Sequence, residues 1–267
     1  MILESKNIFI TGASSGIGLE LAKELFIRKS RLVLIARRKE NLDKAAYTLK
    51  KLNSQLFPPV VIPCDVTDIK SVNETIKAGI NFTGGIDILI NNAGIGVYGT
   101  IEKTSTEDFH SVMETNFFGT VNFTLNALSY MLNNGGGLIV NIASVAALHG
   151  IPYLSTYCAS KAAVVAFSQS IRAELKDKNI DVMVYYPDYT DTNFFRNEKN
   201  VGGARRPTIN YEPADKVART IIKYIELVKS ERILSNEGKA LKILNKFLAK
   251  KLIEYSMDEI NSKLKIN

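Results

Sequence analysis

The stretch Asn7-Ile8-Phe9-Ile10-Thr11-Gly12-Ala13-Ser14-Ser15-Gly16-Ile17-Gly18 decides the fold of this 267-residue chain. It begins with a short, mostly apolar run that contains β-branched residues, which is typical of a buried strand. Three glycines follow at the spacing G-x-x-x-G-x-G, and after them Leu19, Ala22, Leu25 and Phe26 recur at helical spacing. The pattern predicts a strand, a glycine-rich turn and a helix.

Strands and helices continue to alternate after this unit. A second apolar run at 32–36 completes a β-α-β unit, which favours a parallel sheet. We expect strands over 7–11, 32–36, 60–63, 87–91, 138–142, 180–186 and 232–234, and further helices over 40–52, 69–80, 106–132, 156–176 and 212–229. The sequence therefore predicts one α/β domain over 1–267. We expect a Rossmann-type, doubly wound parallel sheet of about seven strands with helices on both faces, a three-layer α/β/α architecture.

Composition excludes several classes of protein. No run approaches the roughly 18 apolar residues of a membrane span, and residues 1–6 are too short and polar for a signal peptide. The two cysteines, Cys64 and Cys158, form no disulfide framework and suit a reducing compartment, so we expect a cytoplasmic protein. The two histidines, His110 and His149, have no partner at metal-ligand spacing, and no metal site is predicted.

The formal net charge of +7 is compatible with nucleic acid, anionic lipid or an anionic cofactor. No aromatic-basic surface motif supports nucleic-acid binding. At 239–267 a basic amphipathic C-terminal extension is predicted, with Leu241, Leu244, Leu248 and Leu252 in one stripe. Such a helix either contacts a membrane peripherally or packs on its own domain or a partner subunit. We favour packing.

The glycine turn is suited to a dinucleotide. Backbone N–H groups at Gly12, Gly16 and Gly18 can approach a pyrophosphate, which a helix N-terminus also attracts. A glycine-rich turn without a ligand is the alternative. Where an NAD site has an acidic residue after the second strand, this chain has Arg37 and Arg38. Because arginine pairs well with phosphate, we predict NADP(H) over NAD(H), unless both arginines are solvated loop charges.

Tyr157 and Lys161 are candidates for acid–base chemistry. On a helix they share one face, and a nearby ammonium is expected to lower the pKa of the phenol. A phenol tuned in this way can act as a general acid or base at a carbonyl or alcohol carbon. The same spacing also occurs in ordinary surface pairs, so the remaining motifs must decide between the two interpretations.

Together, the glycine turn, Asn91-Asn92-Ala93-Gly94 and the Tyr157–Lys161 pair resemble the single-domain short-chain dehydrogenase/reductase family over about residues 7–192. The resemblance implies the catalytic residues Asn116, Ser144, Tyr157 and Lys161. With the turn and the arginines, it gives a cofactor-binding set of Gly12, Ser14, Ser15, Gly16, Ile17, Gly18, Arg37, Arg38, Asp65, Val66, Asn92, Ala93, Gly94, Tyr157, Lys161, Pro187, Thr190 and Thr192.

The resemblance also assigns roles to individual residues. Asp65 is expected to contact the adenine ring, and the backbone carbonyl of Asn116 to hold a water of a proton relay. Ser144 is expected to hydrogen-bond the substrate oxygen, while Lys161 binds the nicotinamide ribose and lowers the pKa of Tyr157. Thr192 matches the threonine near the nicotinamide amide.

The implied function is an NADP(H)-dependent oxidoreductase that transfers a hydride between the cofactor and a carbonyl or secondary alcohol, with Tyr157 as general acid/base and a ketone reduced. The alternative is a catalytically weak cofactor-binding sensor or scaffold of the same fold. The resemblance also implies a homodimer or homotetramer formed through the helices at 106–132 and 156–176.

Two segments depart from the family pattern. Asp188 replaces the family's glycine after Pro187; it is either a harmless turn residue or a carboxylate near the nicotinamide that favours the oxidised ring. Residues 188–212 are predicted to form a substrate lid. Its basic residues suit a ketone with an acyl chain or an acidic end, unless they are solvated. The lid combines apolar Phe194 and Phe195 with Arg196, Lys199, Arg205, Arg206 and one acid, Glu198.

Overall fold

The computed structural model describes residues 1–192, 194, 198–203, 211–228 and 230–233. The main strands are β1 Asn7–Thr11, β2 Arg31–Ala36, β3 Val60–Pro63, β4 Ile88–Asn91, β6 Gly137–Ile142, β7 Ile180–Tyr186 and β11 Glu231–Ile233. The α-helices are α1 Gly16–Ile27, α2 Lys39–Leu52, α3 Ile69–Thr83, α4 Thr106–Met113, α5 Gly119–Asn133, α6 Ser155–Leu175 and α7 Ala214–Glu226. Short strands are β5 Val97–Gly99, β8 Thr190–Asp191, β9 Lys199–Val201 and β10 Glu212–Pro213.

The main sheet has seven strands in the order β11-β7-β6-β4-β1-β2-β3 within the described residues. All neighbouring pairs in this sheet are parallel. The strand order reverses between β1 and β4, and in open α/β sheets ligands bind beyond the carboxyl ends of the strands at such a point. The predicted fold class is confirmed.

Side-chain alternation along the strands divides the core into two layers. Ile8 and Ile10 of β1 face a cluster built with α1, α2 and α7, while Phe9 faces the opposite cluster with α3 and α5. The strands are apolar at nearly every position because both faces of the sheet are covered. This is the predicted three-layer arrangement.

The long helix predicted over 106–132 is not continuous. Its first part, α4, begins at a capping box in which Ser105 and Asp108 each bond the other's backbone N–H. The five residues Glu114–Phe118 then form a π-helical turn before α5 begins. Such turns are frequent at functional sites.

Two short parallel pairs were not predicted, namely β5 with β9 and β8 with β10. As a result, the last described helix begins at Ala214 rather than Glu212, with Pro213 as its N-cap, and it ends at Glu226. Leu234, most of the predicted lid and the C-terminal extension at 239–267 lie outside the described residues.

No helix in the described part of the chain is long and apolar enough to cross a membrane. Among the same residues, no group of three or more His, Cys, Asp or Glu side chains is arranged to hold a metal ion.

Candidate active site

The glycine turn between β1 and α1 accepts only glycine at key positions. Gly12 and Gly16 have φ angles of +65° and +54°, in the left-handed region that favours glycine. A Cβ atom on Gly18 would lie 2.3 Å from the carbonyl oxygen of Gly12 and 2.5 Å from Nδ2 of Asn92. The turn therefore leaves its backbone open to close approach by a ligand, which fits the pyrophosphate of a dinucleotide.

Asn92 and Thr11 join this turn to the end of β4. The Asn92 side chain donates to the carbonyl oxygens of Thr11 (3.1 Å) and Gly12 (3.3 Å). In return, the Thr11 hydroxyl accepts the backbone N–H groups of Asn92 (2.9 Å) and Ala93 (3.0 Å). These bonds fix the two strand ends on either side of the point where the strand order reverses.

A cavity of about 780 Å3 runs along the carboxyl ends of the strands. Of the predicted site residues, Gly18 and Asn116 lie behind its wall. The others line it, namely Gly12, Ser14, Ser15, Gly16, Ile17, Arg37, Arg38, Asp65, Val66, Asn92, Ala93, Gly94, Ser144, Tyr157, Lys161, Pro187, Thr190 and Thr192. Residues from distant parts of the sequence thus meet in one elongated cavity whose size suits a dinucleotide and a small substrate.

One end of the cavity carries positive charge. Arg37 and Arg38 follow β2 and are solvent-exposed. Asp65 lies at the end of β3, and its Oδ1 accepts the backbone N–H and the hydroxyl of Thr67 (3.0 and 2.9 Å), which orients the carboxylate. The arrangement provides two cations and one fixed acceptor for the adenosine part of a cofactor.

Ser144, Tyr157 and Lys161 meet at the other end. Ser144 follows β6; its Oγ accepts the backbone N–H of Ala146 (3.2 Å) and lies 3.5 Å from the carbonyl oxygen of Pro187. Tyr157 lies in the first turn of α6. One turn later, the Lys161 ammonium donates to the carbonyl oxygen of Ile142 (2.9 Å) and lies 5.7 Å from the centroid of the Tyr157 ring.

The prediction that Lys161 lowers the pKa of Tyr157 is wrong for this structure. Burial raises the pKa of the phenol well above its ordinary value, and a hydrogen bond with Ser144 opposes the rise only in part. Burial also lowers the pKa of Lys161 to about 8. Loss of hydration is the largest cause of the raised pKa of Tyr157, while the Lys161 ammonium is bonded to the carbonyl of Ile142. The phenol is protonated at neutral pH, as an ordinary phenol is.

Asn116 supports the site from within the π-helical turn and is fully buried. Its side chain accepts the backbone N–H of Ile95 (2.8 Å) and donates to the Ile95 carbonyl (2.9 Å) and to the Ser160 hydroxyl (2.9 Å). Ser160 in turn donates to the carbonyl of Tyr157 (2.8 Å). The Asn116 carbonyl itself accepts from Thr120 (2.8 Å); its predicted role in holding a water remains a prediction.

A second buried polar group lies beneath the cavity. The Asn91 amide donates to Asn141 (2.9 Å) and Thr124 (3.1 Å), and Asn141 donates to Ser168 (2.7 Å). These bonds tie β4 to β6, α5 and α6. The sequence analysis did not single out Asn141, although a polar asparagine within the apolar run of β6 is a sign of such a buried bond.

The substrate side of the cavity contains residues that the sequence did not single out. Ile151 and Leu154 line it, and Tyr189 follows Asp188 there. Burial raises the pKa of Tyr189 to about 12. Phe194, predicted to lie in the lid, packs with its ring centroid 5.3 Å from that of Tyr157. The Tyr157 phenol thus borders an aromatic and aliphatic wall.

Asp188 needs no unusual backbone conformation. It is not among the described residues with positive φ, so no conformation that favours glycine is required at this position. Its Oδ1 accepts the backbone N–H of Tyr189 (2.8 Å), and its carbonyl accepts the Thr190 hydroxyl (2.8 Å). The carboxylate lines the cavity.

Among the described lid residues, Lys199 is exposed but its charge is paired. Lys199 Nζ lies 2.6 Å from Oδ1 of Asp108, whose side chain is almost fully buried, and Glu198 lines the cavity. The predicted basic character of this entrance is therefore not borne out at Lys199, because its charge is paired on α4. Phe195, Arg196, Arg205 and Arg206 lie outside the described residues.

Sequence comparison places this site in a known family. A family model described as short chain dehydrogenase matches residues 6–201. Dehydrogenase/reductase SDR family member 7B of Xenopus tropicalis is 35% identical over 255 residues, covering 92% of this chain and 82% of the relative. Ketoacyl reductase HetN of a Nostoc strain is 28% identical over 246 residues, covering 92% and 84%.

Solved structures have the same fold. An alcohol dehydrogenase from the archaeon Thermococcus sibiricus, complexed with 5-hydroxy-NADP, aligns with a TM-score of 0.76 and 27% identity, covering 86% of this chain and 95% of that one. A short chain dehydrogenase/reductase from Burkholderia phymatum, in complex with NAD, aligns with a TM-score of 0.82 and 23% identity, covering 91% and 94%. The chain belongs to the short-chain dehydrogenase/reductase family.

Proposed function

We propose that this protein is an NADP(H)-dependent carbonyl reductase that uses Tyr157 as its general acid. Its family makes it an oxidoreductase that works with a nicotinamide cofactor. The observation that carries the proposal is the single cavity with Ser144, Tyr157 and Lys161 at one end and the glycine turn with Arg37 and Arg38 further along.

The cofactor preference rests on the two arginines. The glycine turn and the N-terminus of α1 would hold the pyrophosphate through backbone N–H groups. Arg37 and Arg38 are exposed directly after β2, where a guanidinium can pair with a ribose phosphate in bidentate fashion. Since the similar structures are described with 5-hydroxy-NADP in one case and NAD in another, the choice of NADP(H) depends on these side chains.

The site residues have separate tasks in ketone reduction. The bound nicotinamide supplies the hydride. Negative charge that builds on the carbonyl oxygen meets hydroxyl donors from Ser144 and Tyr157, and the Tyr157 phenol gives up its proton to that oxygen. Lys161, held by the carbonyl of Ile142, would bind the nicotinamide ribose.

We propose reduction as the working direction, because cells usually keep the NADP(H) pool reduced. Reduction consumes a proton, and the Tyr157 phenol carries one at neutral pH, as an ordinary phenol does. The placement of Ser144, Tyr157 and Lys161 in one cavity favours an enzyme over a sensor or scaffold.

We extend the proposal to assembly and location. The apolar side chains of Phe118, at the end of the π-helical turn, and Leu125, on α5, are exposed, which suits a homodimer or homotetramer formed through α4, α5 and α6. The free thiols Cys64 and Cys158 suit a reducing cytoplasm. Gel filtration with light scattering tests the first proposal, and fluorescent tagging in cells tests the second.

The test of function is NADPH oxidation by the purified protein with ketosteroids, 3-oxoacyl thioesters, quinones and sugars. At least one class of ketone should be reduced with NADPH favoured over NADH. If the protein binds NADPH but reduces none of these compounds, while Tyr157→Phe behaves like the wild type, a sensor or scaffold is the better account.

A further inference from the structure

One ion pair outside the cavity joins two segments that are distant in the sequence. Lys199 Nζ lies 2.6 Å from Oδ1 of Asp108, and the two residues are 91 positions apart. Asp108 is the third residue of α4, and its side chain is 6% exposed, whereas that of Lys199 is 61% exposed. The other carboxylate oxygen of Asp108 accepts the backbone N–H and the hydroxyl of Ser105 (3.1 and 3.2 Å). Asp108 is therefore a fixed acceptor that holds the end of a longer, exposed side chain.

Lys199 opens β9, a three-residue strand that pairs with β5 in a separate two-stranded sheet. The two strands fit closely, because a Cβ atom on Gly99 would lie 2.2 Å from Cγ2 of Val201. The backbone N–H of Lys199 also donates to the carbonyl of Gly96 (3.3 Å). Two short strands by themselves are marginally stable at best in water. A single ion pair that fastens β9 to α4 can therefore change the fraction of molecules in which β9 is docked on β5.

The chain that leads into β9 forms part of the cavity wall beside Tyr157. The ring of Phe194 lies with its centroid 5.3 Å from that of Tyr157. A Cβ atom on Gly96 would lie 2.9 Å from Cζ of Phe194, so this ring also covers the residue just before β5. Within β5, Tyr98 packs in one cluster with Leu154 and Tyr157. Undocking of β9 would therefore loosen the wall that is available to the apolar part of a ketone.

We propose that Asp108 and Lys199 are positioning residues for ketone binding. Their ion pair holds β9 on β5, and β9 in turn keeps Phe194 against Tyr157. Neither member of the pair is among the described residues that line the cavity, so both act through the wall rather than by touching substrate or cofactor. This inference rests on the proposed carbonyl reductase function. It assigns a task to a lysine for which the sequence suggested only contact with solvent or with an acidic substrate.

The test compares the kinetics of the wild type, Lys199→Gln and Lys199→Arg with NADPH and a ketone that the substrate screen identifies. The glutamine variant loses the ion pair, so its KM for the ketone should rise about fivefold, while kcat and the KM for NADPH change less than about twofold. Arginine keeps the charge and should retain the wild-type KM. In an Asp108→Asn background, Lys199→Gln should have no further effect, because the pair is already broken.

The matched control is Lys6→Gln. Lys6 forms the same kind of pair with Asp87 (3.0 Å), and Asp87 likewise accepts a backbone N–H, that of Asn7 (2.8 Å), but this pair lies at the amino end of β1. Its loss should leave the KM for the ketone unchanged. An unchanged KM in Lys199→Gln, or a rise of equal size in Lys6→Gln or Lys199→Arg, would overturn the proposal.

A readout that needs no turnover is hydrogen exchange of the backbone amides at 97–99 and 199–201, measured by mass spectrometry. In Lys199→Gln these amides should exchange about fivefold faster than in the wild type, whereas in Lys6→Gln and Lys199→Arg they should keep the wild-type rate. If no ketone is reduced but exchange quickens in this way, the role of the ion pair in holding β9 is upheld while the reductase function is refuted. Unchanged exchange in Lys199→Gln refutes the role of the ion pair.

Discussion

Replacing Lys161 with methionine should change how the stability of the protein depends on pH. The ammonium is 5% exposed, and its burial lowers the pKa from 10.5 to about 8. Between these two values the unfolded chain holds the proton more tightly than the folded protein does. The free energy of unfolding of the wild type therefore gains a contribution that rises with pH, beginning near pH 8.

The size of this contribution follows from the shift. Each pH unit above the pKa of Lys161 in the folded protein adds about 1.4 kcal/mol to the free energy of unfolding. The contribution therefore reaches about 2 kcal/mol between pH 8 and about pH 9.5. Below pH 8 the lysine is protonated in both states and adds no slope. Tyr157, whose raised pKa acts in the opposite direction above about pH 10, is present in both proteins and cancels in the comparison.

The assay is urea unfolding of the wild type and Lys161→Met at pH 7 and pH 9.5. The free energy of unfolding of the wild type minus that of the variant should increase by about 2 kcal/mol from pH 7 to pH 9.5. Lys44→Met, which removes an exposed lysine of α2, is the control and should follow the wild type. If the wild type and Lys161→Met differ by the same amount at both pH values, Lys161 is not buried as a perturbed ammonium.

Other variants test the rest of the site. Tyr157→Phe should reduce turnover by about 100-fold or more, because the proton donor is lost, while fluorescence titration shows nearly unchanged NADPH binding; retained turnover contradicts the role of the phenol. Arg37→Ala should weaken NADPH binding at least about tenfold without a matching loss for NADH, and parallel losses would count against a phosphate contact. In Asp188→Gly, a changed ratio of NADP+ to NADPH affinity would place its charge near the nicotinamide, whereas a constant ratio makes the residue a turn element. Gly18→Ala should lower both the melting temperature and NADPH affinity, since its Cβ would lie 2.3 Å from the Gly12 carbonyl; wild-type values would show that the turn adapts.

The main sheet was predictable because the sequence patterns that indicate its strands and helices are local. The apolar run of β1, the glycine spacing and the helical period of α1 lie within about 20 residues of one another, and the same alternation recurs along the chain. Parallel order then follows from the β-α-β connections. The meeting of Ser144, Tyr157 and Lys161 was suggested by resemblance and agrees with the geometry, although their catalytic roles stay predictions.

The pairing of β5 with β9 lacks such a local signal. It joins three-residue segments that lie about 100 residues apart, and neither segment is long enough to show the alternation of apolar and polar residues that indicates a strand. For the same reason Glu198 looked like one acid among many basic loop residues. Only the folded chain brings Gly96, Phe194 and Glu198 together.

The pKa of Tyr157 shows a different limit. Helical spacing correctly placed Lys161 one turn away, and from that distance alone a lowered pKa follows. The spacing carries no information on the hydration of the phenol, and loss of that hydration on burial raises its pKa instead. Charge proximity read from a sequence therefore predicts which groups interact more reliably than it predicts the direction of their shifts.

Asn116 shows how the unpredicted π-helical turn and the predicted site depend on each other. The apolar spacing of 106–132 is that of an uninterrupted helix, and asparagine is a poor interior residue that should face solvent. A buried amide must instead find partners, and Asn116 finds them in the backbone of Ile95 and in Ser160. The widened turn at Glu114–Phe118 accommodates the residue that makes these bonds. Because Ser160 also bonds the Tyr157 carbonyl, the irregularity couples the end of β4 to the helix that carries the phenol. The local cost of an asparagine within a helix is thus offset by bonds that fix Tyr157 relative to the end of β4.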